Sequence, residues 1–218
     1  MESELLTPEQ ITILKILPLL LAITLHEVAH GYVAKLFGDD TAQRLGRLTL
    51  NPLAHIDPLG TVILPGAMLL MGSPFMFGWA KPVPIATGRL RNPRRSIMLV
   101  SLAGPGANLL MALAWALIAH AADLIPNDLY AAALVEMCKF GIFFNVLLTV
   151  FNLVPIPPLD GGRVLVELLP YNMAQKYSRI EPYGFYILLA LMFTGILGLF
   201  ITLPLRLLYA LMMSVSGL

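Results

Sequence analysis

The chain has 218 residues, of which 58% are hydrophobic and only 12% are charged. Soluble domains carry about 25% charged residues, so this composition excludes an ordinary soluble protein and predicts an α-helical integral membrane protein in a lipid bilayer. The net charge of +1 gives no reason to expect a nucleic-acid partner, and a single cysteine, Cys138, excludes an internal disulfide and a cysteine metal cluster.

The first apolar helix is predicted from about residue 11 to residue 37, and its last third contains His26, Glu27 and His30. The two histidines are one turn apart on one face, a spacing that lets their imidazoles share one zinc ion. Glu27, beside them, can act on water at the metal. The alternative is a chance pattern on a core or surface helix. We favour the metal site, because ionisable residues following the apolar residues 16–25 are costly at membrane depth.

Two short segments are predicted to form a small β hairpin or sheet at the membrane surface. Residues 47–50 alternate between polar and apolar, whereas residues 81–85 contain two prolines, which suit only an edge strand. Between them, residues 58–80 carry no charge. Their uninterrupted apolar part, residues 59–71, is shorter than the ~20 residues that a spanning helix needs. We therefore predict that this segment is re-entrant.

Three further spanning helices are predicted, which gives about four in all. They cover approximately residues 96–122, 133–153 and 183–212. The first of these contains Gly104-Pro105-Gly106-Ala107-Asn108, in which small residues allow close helix packing. Asn108 is either a hydrogen-bonding residue between helices or a site residue, and we favour the first interpretation.

A third metal ligand is needed, because a catalytic zinc usually has three protein ligands and one open position. His120 lies near the far, acidic-loop end of its helix. The better candidate is Asp160, which follows the proline-broken end of the predicted helix 133–153. Asp160 could instead merely cap the helix that follows it. The residues alone leave these two interpretations about even.

Together, these motifs resemble those of the site-2 protease family of intramembrane zinc metalloproteases, peptidase family M50. The motifs are His26-Glu27-x-x-His30, Gly104-Pro105-Gly106-x-Asn108 and Asn152-x-x-Pro155-x-x-x-x-Asp160-Gly161, and the resemblance covers about residues 16–170. The resemblance implies one Zn²⁺ per chain, bound by His26, His30 and Asp160. It further implies that Glu27 is the catalytic acid and base and that Asn152 contacts the substrate or the oxyanion.

The resemblance also implies the reaction, which is hydrolysis of peptide bonds within or next to the transmembrane helix of a membrane-protein substrate. We expect one membrane-embedded domain, residues 1–218, with a catalytic core over about residues 11–170 and a C-terminal helix over about 183–212. It looks like the short form of the family, without a PDZ or CBS domain. The expected location is the bacterial or archaeal inner or plasma membrane, as a multi-pass protein. Whether it forms a homo-oligomer is left open.

Two alternatives belong to other functional classes. A catalytically silent relative could bind transmembrane segments as a scaffold, but it would lack Glu27 or a zinc ligand. A zinc-dependent channel or transporter would have ionisable residues spread over several helices, and here the middle helices are nearly bare of them. His55 is also open: it is either structural or a residue that contacts the substrate or the oxyanion, and we favour the structural role.

The distribution of positive residues predicts the topology. They follow the first helix at Lys35, Arg44 and Arg47 and precede the second at Arg89, Arg91, Arg94 and Arg95. Positive residues near the ends of spans mark the cytoplasmic side, so both groups should lie there. This requires residues 58–80 to enter and leave on one face. Both termini then lie outside, and the zinc site lies nearer the cytoplasm.

Overall fold

The computed structural model describes residues 5–72 and 78–218, and the regular structure within them is helical. The α-helices are α1 Pro8–Leu14, α2 Ile16–Leu36, α3 Thr41–Arg44, α4 Leu64–Leu70, α5 Pro93–Ala119, α6 Asp128–Asn152, α7 Asp160–Leu168, α8 Tyr171–Ser178, α9 Gly184–Phe193 and α10 Ile196–Ser216. Short 3₁₀ turns lie at Pro52–His55, Thr87–Arg89, His120–Leu124 and Glu181–Tyr183, and a π-helical segment lies at Pro58–Ile63.

Four helical stretches of the described chain are long and apolar enough to cross a membrane, as the sequence predicts. They are Pro8–Leu36, which joins α1 and α2; Pro93–Leu124, which joins α5 and the turn after it; Asp128–Asn152; and Ile196–Ser216. The predicted first helix is interrupted at Lys15, because the ring of Pro18 clashes with the carbonyl of Leu14 and offers it no N–H. The prediction of one C-terminal helix is wrong, since Gly195, with φ 74°, separates α9 from α10.

The predicted surface hairpin is also wrong: neither residues 47–50 nor residues 81–85 are in strands, and no strand occurs in the described chain. The two segments lie close together, but side chains connect them. The Arg47 guanidinium donates to the carbonyl of Lys81 at 2.8 Å. Pro82 and Pro84 have no N–H to donate, so a ladder of backbone hydrogen bonds cannot form along that edge.

The predicted re-entrant segment begins with six residues of π-helix, Pro58–Ile63, and continues as the seven residues of α4. This apolar helix is shorter than the ~20 residues needed to span a bilayer. Residues 73–77, which belong to the same predicted segment, lie outside the described residues. Re-entry into the membrane stays a prediction.

Helix α5 contacts α2, α6, α7 and α10, and so connects the parts of the chain that carry the candidate site. Its small residues allow this close packing: Ala112 and Ala116 are fully buried against α6. Gly141 of α6 faces the ring of Trp115, and an added Cβ there would lie only 2.6 Å from the ring. The tight packing of α2, α5 and α6 brings their polar side chains together in the interior.

Asp39, just after α2, anchors the segment that follows the re-entrant region. Its buried carboxylate accepts hydrogen bonds from the backbone N–H of Ala86 at 2.6 Å and from the N–H and hydroxyl of Thr41. Burial alone would raise the pKa of Asp39, but these donors and the nearby Arg89 hold it below its ordinary value. The ionised carboxylate therefore fixes residues 81–86 against the end of α2.

We expect Asp39→Asn to lower the thermal stability of the protein at pH 7, because an amide cannot replace a carboxylate that accepts three hydrogen bonds. A depressed pKa contributes stability above the ordinary Asp pKa of about 3.9, and this stability is lost as the pH falls through the depressed value. The difference in Tm between variant and parent should therefore shrink below about pH 4.

The matched control is Asp40→Asn. Asp40 is the neighbouring carboxylate, and its side-chain contacts among the described residues are exposed ion pairs with Arg44 and Arg89. Such pairs contribute about 0–1 kcal/mol. Equal losses of Tm in the two variants at pH 7 would contradict the anchoring role of Asp39.

Candidate metal centre

His26, His30 and Asp160 converge on one buried point between α2 and α7. The two histidine side chains project from one face of α2, and both residues are buried. Their Nε2 atoms lie 3.0 Å apart, and Oδ2 of Asp160 lies 3.3 Å from each of them. Among the described residues, these three form the group of His, Cys, Asp and Glu side chains able to hold a metal ion.

The outer nitrogens of the two imidazoles show which atoms remain for a metal. Nδ1 of His26 lies 2.5 Å from Oδ1 of Asn108, and Nδ1 of His30 lies 2.7 Å from the carbonyl of Val100. Both oxygens only accept, so each Nδ1 carries the proton. In the neutral imidazoles, both Nε2 atoms then present lone pairs at 3.0 Å. Such a pair is repulsive unless a cation lies between the two nitrogens.

The separations of the three donor atoms fit zinc. Ligand atoms about 2.0–2.1 Å from a shared zinc ion are about 3.3 Å from one another in a tetrahedral site. The observed separations are 3.0, 3.3 and 3.3 Å. The histidines also have the outer hydrogen bonds typical of zinc ligands. The donor set, two imidazoles and one carboxylate, is one that zinc prefers and leaves a fourth position open.

Asp160 reaches the histidines because of the loop that precedes α7. It is the first residue of α7, and Leu159 occupies the N-cap position before it. Asp160 is therefore not at the position from which a side chain caps this helix. Gly161 and Gly162 lie so close to the backbone of residues 153–157 that an added Cβ would collide with carbonyl groups. These glycines let the start of α7 pack directly against the preceding loop.

Glu27 lies beside the metal group and has a partner of its own. Its Oε2 accepts a hydrogen bond from the backbone N–H of Val83 at 2.8 Å. The side chain of Val83 packs at Gly31, next to His30, where an added Cβ would lie 2.8 Å from it. The segment held by Asp39 therefore fixes the carboxylate of the predicted acid and base.

Asn152 and His55 do not belong to the metal-holding group. Asn152 ends α6, and its amide donates to the carbonyl of Leu148 at 3.0 Å. His55 is buried, and its Nε2 donates to the carbonyl of Thr49 at 3.0 Å. The backbone carbonyl of His55 accepts from Lys81 at 2.9 Å. These contacts agree with a structural role for His55, and contact of either residue with substrate stays a prediction.

Gly104 of α5 lies directly over the Nε2 atoms of His26 and His30. A Cβ at this position would lie 2.6 Å from Nε2 and Cε1 of His26 and in closer conflict with Nε2 of His30. We therefore expect Gly104→Ala to displace one or both imidazoles and to remove most of the bound zinc. Metal analysis of the purified, monodisperse protein measures this loss.

Gly106→Ala is the control for this substitution. Gly106 lies on the same helix, and apart from neighbouring residues of that helix no atom lies within 4 Å of an added Cβ. The control should retain the zinc content of the parent. Full zinc occupancy in Gly104→Ala would mean that the imidazoles bind metal from a different position.

Sequence reasoning missed two residues that support the site, Asn145 through Asn108 and Val83 through Glu27. Asn145 of α6 is fully buried and accepts a hydrogen bond from the Asn108 amide at 2.9 Å. An isolated Asn in an apolar helix does signal a buried hydrogen bond, since an amide at membrane depth needs a partner. Val83 gave no signal, because it contacts Glu27 through its backbone N–H.

Fold and site together define a helical protein with four candidate membrane spans and a buried group of two histidines and one aspartate that could hold a metal ion. Comparisons with known proteins agree. The sequence profile of Peptidase family M50 matches residues 118–195. "Putative zinc metalloprotease YwhC" of Bacillus subtilis is 39% identical over 192 residues, which are 87% of this chain and 84% of YwhC. No solved structure matches significantly.

Two mycobacterial proteins of the same description, both called Rip2, are also similar. The Mycolicibacterium smegmatis protein is 33% identical, covering 82% of this chain and 66% of its own length. The Mycobacterium tuberculosis protein (strain H37Rv) is 33% identical, with 79% and 63% covered. The chain belongs to peptidase family M50, and so to the zinc metalloproteases.

Proposed function

We propose that this protein is an intramembrane zinc metalloprotease that cleaves peptide bonds within or next to the transmembrane segments of membrane proteins. The observation that carries the proposal is the convergence of His26, His30 and Asp160, 3.0–3.3 Å apart, in a protein with four helices long enough to span a bilayer. Family membership supports zinc as the metal and proteolysis as the reaction.

In this proposal the chain supplies the metal ligands and the proton transfer. Zinc at this site would polarise the scissile carbonyl and lower the pKa of a bound water to about 7. Glu27 takes a proton from the attacking water as the water oxygen bonds to the carbonyl carbon of the substrate. Glu27 then gives this proton to the amine as the C–N bond breaks. The hydrogen bond from Val83 holds one carboxylate oxygen and leaves the other for this transfer.

A helical substrate hides its carbonyls in its own hydrogen bonds, so it must unwind before cleavage. An extended segment of the enzyme beside the site could bind the unwound stretch by strand addition. Residues 81–85 are poorly suited, because Lys81 and Val83 already donate their N–H groups and the two prolines have none. Residues 48–50 are better placed: the Leu48 side chain packs at Gly31, next to His30. Asn152 is the proposed side-chain contact to the substrate or oxyanion.

The proposed topology places the site toward the cytoplasm of a multi-pass protein in the bacterial cell membrane. Two candidate spans, Pro93–Leu124 and Asp128–Asn152, lie between the histidines and Asp160. Two crossings return the chain to the face from which it started. This agrees with the short distances among the three ligands and supports re-entry of residues 58–80. A further crossing there would carry Asp160 to the opposite face.

Comparison of membrane proteomes tests the proposed function. Cells are prepared that carry the parent protein, Glu27→Gln or the control Glu181→Gln, which changes an exposed glutamate. We expect fragments with new ends inside or beside a transmembrane segment in the parent and control cells only. These fragments identify the substrate.

The same fragments at the same abundance with Glu27→Gln would contradict the proposed function. Substrates that accumulate uncleaved and co-purify with Glu27→Gln would support it. Co-purification of uncleaved membrane proteins with the parent, without any Glu27-dependent fragment, would instead support the scaffold alternative.

A further inference from the structure

Two buried asparagines connect the proposed metal ligand His26 to backbone carbonyls of α2 and α6. Asn108 of α5 and Asn145 of α6 both have no exposed surface. Oδ1 of Asn108 faces Nδ1 of His26 at 2.5 Å. The amide nitrogen of Asn108 donates to Oδ1 of Asn145 at 2.9 Å and to the carbonyl of Ala22 at 3.1 Å. Asn145 in turn donates to the carbonyl of Gly141 at 2.8 Å.

The direction of every hydrogen bond in this series, which runs from the carbonyls of Gly141 and Ala22 to His26, follows from the backbone carbonyls at its start. The carbonyls of Gly141 and Ala22 can only accept, so the amide nitrogens of Asn145 and Asn108 must face them. The oxygen of Asn145 then faces Asn108, and the oxygen of Asn108 faces His26. An oxygen at that position can only accept from Nδ1 of His26. His26 is thereby held in the tautomer whose Nε2 has a free lone pair.

We infer that Asn108 and Asn145 are positioning residues for zinc, and that Asn145 acts through Asn108. Two backbone carbonyls orient the two asparagine amides, and the oxygen of Asn108 in turn fixes both the tautomer and the ring orientation of His26. His30 gets the same restriction directly from the carbonyl of Val100 at 2.7 Å. The two histidines therefore present their lone pairs to one point before the metal binds. Packing between helices would not require this polarity.

This inference rests on the proposed zinc site, and zinc affinity is its test. The full chain is purified as the parent, Asn108→Ala, Asn145→Ala and the double variant, and each competes with a chelator of known affinity for zinc. Loss of an outer-shell partner of a zinc ligand typically weakens affinity about 10–100-fold, and we expect this for Asn108→Ala. Asn145→Ala should weaken binding less, because the carbonyl of Ala22 still orients Asn108.

The double variant distinguishes positioning from packing. If Asn145 acts through Asn108, the double variant should bind zinc no more weakly than Asn108→Ala alone. A double variant whose loss of zinc affinity equals the product of the two single losses would contradict the inference that Asn145 acts through Asn108. The visible absorption of bound Co²⁺ should change in Asn108→Ala, which reports altered ligand geometry without any activity assay. If an alanine variant gives no folded protein, a serine variant at the same position takes its place. Serine is too short to reach the hydrogen-bond partner of the asparagine, so the comparison of single and double variants keeps its meaning.

Thr149→Val is the matched control, since Thr149 is buried one turn from Asn145. Its hydroxyl lies within hydrogen-bond distance of the backbone carbonyls of Pro105 and Asn145 and contacts neither asparagine side chain. It should keep the zinc affinity and Co²⁺ spectrum of the parent. Failure of the parent itself to bind zinc would overturn the proposed function. Tight binding by the parent, with unchanged affinity and Co²⁺ spectrum in Asn108→Ala, would overturn only this inference.

Discussion

Glu27→Gln is expected to keep its full complement of zinc and to lose nearly all peptidase activity. Glu27 is outside the group of three metal-holding residues, so the substitution removes no ligand. It removes the group that transfers protons in both halves of the reaction. General acid–base catalysis is worth about 10²–10⁴-fold, and we expect a loss toward the upper end because one residue serves both steps.

The measurement pairs turnover of a transmembrane substrate in liposomes with metal analysis of the same preparation. Glutamine can still accept the hydrogen bond from Val83, so the local structure should be retained. Turnover at the parent rate would remove Glu27 from the mechanism. Loss of zinc together with activity would mean that Glu27 acts on the metal directly.

Asp160→Ala is expected to lose zinc as well as activity, and this separates its role from that of Glu27. The carboxylate is the third donor, 3.3 Å from each Nε2, and two histidines alone leave the site incomplete. Loss of an outer-shell partner already weakens zinc binding about 10–100-fold, so loss of a ligand should weaken it more than about 100-fold. Chelator competition measures this directly.

Asp123→Ala is a suitable control, because this exposed carboxylate lies at the far end of the second candidate span. It should have no effect on zinc affinity. One zinc per chain at unchanged affinity in Asp160→Ala would exclude Asp160 as a ligand. Asp160 would then need another role, since Leu159 and not Asp160 occupies the N-cap position of α7.

The parts of the site that the sequence could predict are those with a local geometry. His26 and His30 are four positions apart on one helix, so their spacing alone places both imidazoles on the same face. Asp160 is distant in the chain, and no local periodicity connects it with α2. The residues left its role undecided between ligand and cap. The resemblance to a known family decided in favour of the ligand.

The errors have physical causes as well. The patterns of residues 47–50 and 81–85 are typical of strands, but two prolines prevent a ladder of backbone hydrogen bonds. The side chains of Arg47 and Glu27 bind the carbonyl of Lys81 and the N–H of Val83 instead. The apolar residues 183–212 predict one continuous helix, although Gly195 within them follows α9 in a left-handed conformation and separates it from α10. Uniform apolarity in a membrane helix hides such breaks, because both halves have the same composition.

X-ray absorption at the zinc edge of the purified protein is the most direct test of the central claim, that His26, His30 and Asp160 bind one zinc ion. The spectrum should show nitrogen and oxygen neighbours at about 2.0–2.1 Å, with the scattering pattern of two imidazoles. No sulfur neighbour at about 2.3 Å is expected, since the single cysteine, Cys138, is buried in α6 and is not in the metal-holding group. A sulfur neighbour, or fewer than two imidazoles, would contradict the assigned metal centre.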